Sequence, residues 1–305
     1  MMTHRKIAAV RTTLWDFALL VVVIAMGVST FAAAQATPAP AATQAPPFNG
    51  IAHIAVRVKD IAASVAFYNK LGYQQAFAMT KGDVVTQSFI KINDKQFIEL
   101  YPINPDNPTQ DKPEFLHLCF EGVDLNAIHD YYVAEGLTPI AVRKAGAGNL
   151  LFTMKGPLQF RDPQNIEYTQ YMPESMHSKD IGQHLGSDRI ADKMTVVTLA
   201  MQDPAAASAF YQDKLGFVRI HQAAGSSGAG LGFRLPGSSG EAVDIVPVES
   251  LGAKSSITLE TSSISKAQGM LTGQKVPFIP ANPNSGKGIV VTDPDGNLIN
   301  IVPAR

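Results

Sequence analysis

The sequence has one cysteine, one tryptophan and no excess of charge of either sign. A single thiol, Cys119, cannot form an intramolecular disulfide, so we expect packing to stabilise the fold and Cys119 to be an inert packing residue. The 25 basic and 26 acidic residues give a net charge of -1, which argues against a nucleic-acid partner. With 46% hydrophobic residues the chain can build substantial cores, and a small molecule is the expected partner.

The N-terminal region lacks an apolar run long enough for an ordinary membrane-spanning helix, which needs ~20 residues. Basic residues precede the apolar run "FALLVVVIAMGV", and the small residues of "STFAAAQA" follow it, a pattern typical of a secretory signal peptide. We predict a signal peptide over 1–36, cleaved after Ala34 or Ala36, and then a Pro/Ala-rich linker over 37–48. The protein is then expected to be periplasmic or secreted and free of the membrane. An uncleaved N-terminal anchor is the alternative.

The chain contains an internal repeat. The segment "VKDIAASVAFYNKLGY" (58–73) returns as "MQDPAAASAFYQDKLGF" (201–217). Each copy has an Asp that can cap a helix, an Ala-rich amphipathic stretch, and a Leu-Gly-aromatic sequence that ends the helix. A repeat at this distance indicates two related domains, which we place at 49–175 and 190–305.

Each domain divides again into two similar units. In each unit an alternating strand is followed by an amphipathic helix and three further strand candidates. The predicted helices cover 61–71, 125–136, 204–215 and 264–273. The sequence therefore predicts an α+β fold of four βαβββ units. Between the domains, the polar segment 176–189 is predicted to be a linker in which His177 and His184 are solvated.

One histidine or glutamate lies on the less apolar face of each of four strands. Because alternate residues of a strand share a face, His53 in "HIAVRV" points away from the apolar side that a helix would cover. The same test gives this orientation to Glu99 in "FIELY", His117 in "FLHLCF" and Glu167 in "IEYTQY". A pseudo-twofold axis between two units would bring all four side chains together. Two imidazoles and two carboxylates suit a divalent first-row metal.

These features together resemble the vicinal oxygen chelate superfamily, which includes glyoxalase I, extradiol dioxygenases and bleomycin resistance proteins. The resemblance rests on the paired βαβββ units, on "HIAVRVKDIAASVAFYNKLGY" and "FIEL", and on the "DP" turn before the last strand. It implies tandem domains with cupped mixed β-sheets, and a divalent metal (Ni, Zn, Mn or Fe) in the first domain. The implied metal ligands are His53, Glu99, His117 and Glu167. The turn in "RDPQNIEY" is two residues shorter than the family pattern, so Thr169 is the alternative to Glu167.

The second domain is expected to keep the fold and to lack the metal ligands. Aligning the repeated helices and the strands around them identifies the replacement at each ligand position. The residues that replace His53, Glu99, His117 and Glu167 are, in that order, Val196, Asp244, Thr258 and Asn300. No metal site is expected in this domain.

The resemblance implies a metal-dependent enzyme of the lyase or isomerase type that chelates neighbouring oxygens of a small oxygenated metabolite, and the signal-peptide pattern implies that this enzyme is exported. Its cation would stabilise an oxyanion as a Lewis acid, and Glu167, or alternatively Glu99, would move a proton. Arg57, on the same face as His53, can clamp a substrate carboxylate, although a structural ion pair explains it equally well.

Other functions stay open at this point. The alternatives are a metal-free small-molecule binding protein of the bleomycin-resistance type and an extradiol-type dioxygenase. The second domain can serve only to cover or pair with the first. A homodimer is also open, because units in this superfamily pair either within or between chains.

Overall fold

The computed structural model describes residues 44–160, 163–220, 230–238, 240–251, 254–281 and 288–304. The predicted signal peptide over 1–36 and most of the linker over 37–48 lie outside these residues. Within the described ranges, no helix is long and apolar enough to cross a membrane.

The first domain contains one sheet of eight strands and two helices. Its strands are β1 Phe48–Val58, β2 Gln74–Lys81, β3 Val84–Lys91, β4 Phe97–Pro102, β5 Glu114–Gly122, β6 Arg143–Lys144, β7 Leu150–Leu158 and β8 Pro163–Gln170. Its helices are α1 Ile61–Lys70 and α2 Leu125–Ala134, and a third, short helix, α3 Met176–Lys179, follows β8. In the segment "TPIAVRK" (138–144), one of the strand candidates of the sequence, only the last two residues form a strand.

The second domain repeats this order of elements. Its strands are β9 Lys193–Met201, β10 Val218–Ile220, β11 Leu231–Arg234, β12 Ala242–Pro247, β13 Ser256–Thr261, β14 Phe278–Pro280, β15 Ile289–Thr292 and β16 Leu298–Pro303. Its helices are α4 Pro204–Ala209, which continues as a π-helix over Phe210–Lys214, and α5 Ile264–Gly273, with a 3₁₀ turn at Val248–Leu251.

Both sheets have the same strand order. The first runs β2-β3-β4-β1-β5-β8-β7-β6 and the second β10-β11-β12-β9-β13-β16-β15-β14. In each, two βαβββ units meet at a central antiparallel pair, β1 with β5 and β9 with β13, and each central strand also pairs in parallel with the fourth strand of its own unit. The predicted α+β fold of two tandem domains with mixed sheets is confirmed.

The repeated sequence segments form equivalent helices with equivalent ends. Asp60 accepts a hydrogen bond from the Ala63 N–H at 3.0 Å, and Asp203 accepts one from the Ala206 N–H at 2.9 Å, as N-cap carboxylates do. After each helix comes a glycine with positive φ, such as Gly72 at 85°, where a β-carbon would be strained. The capping aspartate and the Leu-Gly ending therefore set the bounds of these helices.

A hydrophobic core spans both domains. The ring of Phe217 in the second domain lies 5.9 Å from Phe48 and 5.2 Å from Phe120 in the first domain, edge-to-face in both cases. Burying an aromatic side chain of this size contributes roughly 1.5–3 kcal/mol. The domains thus stabilise each other through apolar packing.

Two equivalent side chains join the domains through backbone hydrogen bonds. Glu241 Oε2 accepts from the Ile51 N–H at 2.7 Å, and Gln96 Oε1 accepts from the Met194 N–H at 2.7 Å. The strand registers place Gln96 and Glu241 at the same position in their domains, directly before β4 and β12. The two domains are therefore related by an approximate twofold arrangement at this interface.

The segment between the domains is packed more tightly than the sequence suggested. His177, in α3, is only 2% exposed, and its ring centroid lies 4.5–5.4 Å from those of Phe77, Phe89, Phe97 and Tyr171. The prediction that His177 is solvated is therefore wrong. The polar composition of 176–189 gave no sign of the aromatic rings that distant strands contribute around this imidazole.

A buried cation anchors the same segment. Lys91 Nζ, on β3, lies 2.8 Å from Asp180 Oδ2 and also donates to the Gln183 carbonyl at 2.7 Å. Asp180 in turn pairs with the imidazole of His184, whose side chain is 42% exposed. Because a buried ammonium group needs anionic and carbonyl partners, Lys91 fixes this segment against the first sheet.

Candidate metal centre

Four side chains from four strands of the first sheet meet at one point. His53 Nε2, on β1, lies 3.2 Å from His117 Nε2 on β5. The same nitrogen lies 3.4 Å from Glu99 Oε1 on β4 and 3.4 Å from Glu167 Oε1 on β8. The structure thus brings together all four candidate ligands that strand alternation singled out.

These separations suit donor atoms around a single cation. A first-row metal with bonds of about 2.0–2.2 Å places neighbouring ligand atoms roughly 3.0–3.5 Å apart, which matches the distances around His53 Nε2. One donor atom each from His53, Glu99 and His117 also lie within 4.8 Å of one another. The residues present therefore fit a divalent cation, and imidazole and carboxylate donors leave the choice of metal open.

The register around Ala55 explains why the centre has room for an ion. Ala55 on β1 lies opposite Glu99 on one side and opposite His117 on the other, and it shares the face of His53. Its side chain is a single methyl group, so it leaves space between these ligands. Longer side chains on either side can then converge above it.

Glu99 is held in place by two further donors. Its Oε2 accepts hydrogen bonds from Gln87 Nε2 at 2.7 Å and from the Tyr101 hydroxyl at 3.0 Å, which leaves Oε1 facing His53. Burial raises the pKa of Glu99 to about 7, while the His53 charge acts in the opposite direction. Partners of this kind fix the orientation of a metal ligand.

The second carboxylate differs from the first. Burial favours the protonated form of Glu167, but the imidazoles of His117 and His53, with a smaller contribution from Arg143, lower the pKa of Glu167 to about 2. Two carboxylates in one buried site push their pKa values apart. In the absence of a cation, Glu167 is thus the ionised member of the pair.

The two imidazoles also differ in charge. Burial lowers the pKa of His53, but the carboxylates of Glu99 and Glu167 more than offset this and raise it overall. Burial lowers the pKa of His117 to about 4, and the nearby His53 acts in the same direction. His117 is therefore neutral at physiological pH, the form in which imidazole binds metals.

The position of Glu167 answers the question of register raised by the short turn. Thr169, the alternative, is fully buried and donates its hydroxyl hydrogen to the Leu150 carbonyl at 2.9 Å. Glu167 instead approaches His53. The described part of β8 therefore presents Glu167 to the centre.

Cys119 lies beside the centre. It is fully buried, as expected of a packing residue, but its Sγ, a ring nitrogen of His53 and a carboxylate oxygen of Glu167 all lie within 4.8 Å of one another. Burial raises the pKa of the thiol well above its usual range, and the nearby carboxylates of Glu167 and Glu99 add to this. In the metal-free protein the thiol therefore keeps its proton.

A cavity of about 1000 Å³ reaches the centre at His117. Tyr101 and His117 line it from the first domain, and Lys254 and Asn297 line it from the second. This volume accommodates an ordinary small metabolite. The second domain thus contributes part of the wall around the approach to His117.

Arg57 lines the same cavity and forms an ion pair. Its guanidinium group donates to Glu114 on β5 and, at 3.5 Å, to the Thr109 carbonyl. The structural ion pair that the sequence left open is thus present. Lys155 also lies on the cavity wall. Its side chain makes no hydrogen bond or ion pair within the described part of the chain.

The second domain has other residues at the positions of the four candidate ligands. The strand registers correct one of the equivalences that the sequence alignment predicted. Ala55 and Thr198 are equivalent; Ala55 pairs with His117, whereas Thr198 pairs with Ser256. The sequence alignment that placed Thr258 at the His117 position is therefore wrong, because Ser256 stands there. Thr258 occupies the position of Cys119. Val196, Asp244 and Asn300 stand where the sequence placed them.

Sequence reasoning did not single out the residues that support the ligands. Tyr101 shares a strand and a face with Glu99, and Gln87 lies on the adjacent strand, so strand alternation could have identified both. His177 gave no comparable signal, since it belongs to a polar segment outside the repeated units.

The chain was compared with known proteins. The family model described as Glyoxalase/Bleomycin resistance protein/Dioxygenase superfamily matches residues 50–168 and 193–301. No curated protein matches the sequence.

Solved structures share the fold at low sequence identity. The Mn(II)-bound glyoxalase from Novosphingobium aromaticivorans superposes with a TM-score of 0.61 at 14% identity, covering 84% of this chain and 82% of that one. The 2,3-dioxygenase LapB from Pseudomonas sp. KL28 gives 0.60 at 14% identity, covering 85% and 93%. An extradiol ring-cleaving dioxygenase from B. fuscum gives 0.60 at 15%, covering 85% and 72%. Both matched segments contain a complete set of paired βαβββ units, and the chain belongs to the Glyoxalase/Bleomycin resistance protein/Dioxygenase superfamily.

Proposed function

We propose that the protein is a metal-dependent enzyme of the lyase or isomerase type that acts on a small metabolite with two neighbouring oxygens. The observation that carries this proposal is the convergence of His117, Glu99 and Glu167 on His53 Nε2 at 3.2–3.4 Å. A divalent cation held there would bind the substrate oxygens and withdraw negative charge from them as a Lewis acid. The cavity above His117 gives such a substrate access.

Glu167 is the better candidate for the residue that moves a proton. Glu99 is fixed by hydrogen bonds from Gln87 and Tyr101, so a change in its position would break both. Glu167 has an exposed side-chain fraction of 14% against 5% for Glu99. Its carboxylate would take a proton from a C–H next to a substrate carbonyl and return it to the adjacent carbon, which needs no oxidant.

The charges around the cavity favour a substrate with an anionic group. Arg57 is already paired with Glu114, which fixes the orientation of its guanidinium group. The remaining N–H donors of this group can bind a second anion. Lys155 is a further cation on the cavity wall, and its side chain has no partner among the described residues. We propose that these two groups bind a carboxylate or phosphate of the substrate, away from the oxygens that approach His117.

One observation supports a second candidate, an extradiol-type dioxygenase. The three donors that lie within 4.8 Å of one another are His53, Glu99 and His117, two histidines and one carboxylate, which is the ligand set of many non-haem iron oxygenases. Glu167 counts against this candidate, because a fourth protein ligand would take a position needed by the substrate or dioxygen.

The two candidates differ in a simple assay. The mature protein, loaded separately with Mn(II), Ni(II), Zn(II) and Fe(II), is incubated in D₂O with α-hydroxy ketones, and C–H exchange is followed by NMR. The lyase or isomerase proposal predicts exchange that disappears in Glu167→Gln while bound metal is retained. Oxygen consumption with catechols under Fe(II), without any C–H exchange, would favour the dioxygenase; neither activity with any metal would contradict both.

We also propose that the protein is exported to the periplasm or secreted. The support is the signal-peptide pattern over 1–36. Expression of the full chain in a bacterial host, followed by fractionation and N-terminal sequencing, should give mature protein that begins at Gln35 or Thr37. Full-length protein in the membrane fraction would instead indicate an uncleaved anchor.

A further inference from the structure

The side chain of Cys119 lies on the ligand face of β5. The register places Cys119 opposite His53 on β1 and opposite Glu167 on β8. Its Sγ, a nitrogen of His53 and an oxygen of Glu167 lie within 4.8 Å of one another. The sheet thus places a thiol beside two candidate ligands at once.

Cys119 does not belong to the hydrophobic core that the strand builds on its other side. Its neighbours Leu118 and Phe120 are members of the core cluster shared by the two domains, and Cys119 is not. The equivalent position in the second domain holds Thr258, so the fold does not require a sulfur atom there. The thiol is nevertheless fully buried, on the strand face that carries the candidate ligands.

The donor atoms form two overlapping triads that share His53. One consists of His53, Glu99 and His117, and the other of His53, Cys119 and Glu167. The first triad has nitrogen and oxygen donors only and suits hard and borderline cations. The second adds sulfur, which favours softer cations such as Zn(II) and Co(II) over Mn(II).

We propose that Cys119 is a thiolate ligand of the cation in this centre. The inference rests on the proposed metal-dependent function and extends it to metal selectivity. When the cation binds, the S–H bond breaks, a bond from sulfur to the metal forms, and the proton passes to solvent, with no change in oxidation state. The centre then prefers Zn(II) or Co(II) to Mn(II).

Cobalt spectroscopy tests this directly, because Cys119 is the single cysteine of the chain. The mature protein is loaded with Co(II) under anaerobic conditions, and its absorption spectrum is recorded. We expect visible d–d bands from bound Co(II) and a near-ultraviolet sulfur-to-cobalt charge-transfer band. In Cys119→Ser the charge-transfer band should disappear while the d–d bands remain.

A matched control uses the second domain. The double variant Cys119→Ser/Thr258→Cys moves the thiol to the equivalent strand position, where Val196 stands in place of His53, and should show no charge-transfer band. Circular dichroism checks that each variant is folded, and Cys119→Ala serves as a second test if the serine variant is not.

Metal competition gives an independent readout. With Zn(II) and Mn(II) both present, Cys119→Ser should lower the preference for Zn(II) by about tenfold or more. Bound Co(II) without a charge-transfer band in the wild-type protein would overturn the role of Cys119 and leave the proposed function standing. Binding of Mn(II) or Ni(II) without binding of Co(II) would likewise overturn the role of Cys119 alone. Failure to bind any divalent metal would overturn both.

Discussion

The two domains share a fold, but they differ in the residues on the sheet face that lies away from the helices. Both have the same strand order, the same capped helices and equivalent contacts from Gln96 and Glu241. On the cupped face, however, His53 in the first domain corresponds to Val196 in the second. Residues on the helix-covered face therefore determine the architecture, and residues on the other face are free to carry chemistry or to lose it.

The largest expected effect comes from making the first domain resemble the second. In His53→Val we expect metal affinity to fall by at least about 100-fold. Loss of a residue that only supports a metal ligand already lowers metal affinity by about 10–100-fold, and His53 is itself a candidate ligand. The fold should persist, because Val196 occupies the same position and is buried. Dissociation constants from competition with a chelator measure the effect. Val196→Ala is the control and should leave metal affinity unchanged.

The converse substitution sharpens the comparison. Val196→His should not create a second metal site, because Ser256 and Asn300 still stand at the other ligand positions. Tight binding of a second metal ion by this variant would contradict the equivalences between the domains.

The next effect concerns the contacts between the domains. Glu241→Ala leaves the Ile51 N–H without its acceptor, and Gln96→Ala does the same for Met194. Each loss should lower the free energy of unfolding by roughly 1–3 kcal/mol, as measured by urea denaturation. Glu241→Gln keeps an acceptor oxygen and should cost much less. If Glu241→Ala and Glu241→Gln are equally stable, the hydrogen bond does not contribute.

The prediction of the fold from sequence succeeded where local signals and strand alternation were enough. The capping residues Asp60 and Asp203 and the Leu-Gly endings located the helices, and the alternation of "HIAVRV" and "FIELY" identified His53 and Glu99. These features depend on neighbours in the sequence, so they can be read without tertiary contacts.

The errors have physical causes. A shift of two residues along a strand keeps every side chain on its face, so alternation could not distinguish Thr258 from Ser256 at the His117 position; only pairing with β9 fixes the register. The burial of His177 depends on rings from β2, β3 and β4, which no local pattern in a polar segment reveals. The sequence therefore did not determine the register of a strand against its neighbour or the contacts between distant segments.

His177 predicts a difference in acid stability. Burial lowers its pKa to about 3, whereas an unfolded histidine has a pKa of about 6.5. The unfolded chain therefore binds more protons between these values, and the stability that is complete above pH 6.5 is lost as the pH falls. Between pH 7 and 5 this loss should be about 2 kcal/mol, and His177→Phe should remove it.

Urea denaturation of the wild type and His177→Phe at several pH values measures this difference. Phenylalanine suits the aromatic surroundings, so the variant should be folded at pH 7. His129→Phe, at a partly exposed histidine of the same domain, serves as the control for replacing a histidine by phenylalanine. Equal slopes in the wild type and His177→Phe would show that His177 is not responsible.

The smallest effect compares equivalent helix caps. Asp60→Ala and Asp203→Ala each remove one N-cap hydrogen bond and should lower the free energy of unfolding by about 1 kcal/mol. Thermal or urea denaturation checks this, with Asp→Asn at each site as the control that retains a cap. A large difference between the two sites would show that the repeated segments are not energetically equivalent.

The number of metal ions bound per chain tests the central claim most directly. Equilibrium dialysis of the mature protein against Co(II), Mn(II), Ni(II) or Zn(II), followed by elemental analysis, should give one tightly bound ion per chain with at least one of these metals. The bound ion should be lost in His53→Val and retained in Val196→Ala. No tight binding by the wild type with any of the four metals, or an ion that persists in His53→Val, would contradict the account.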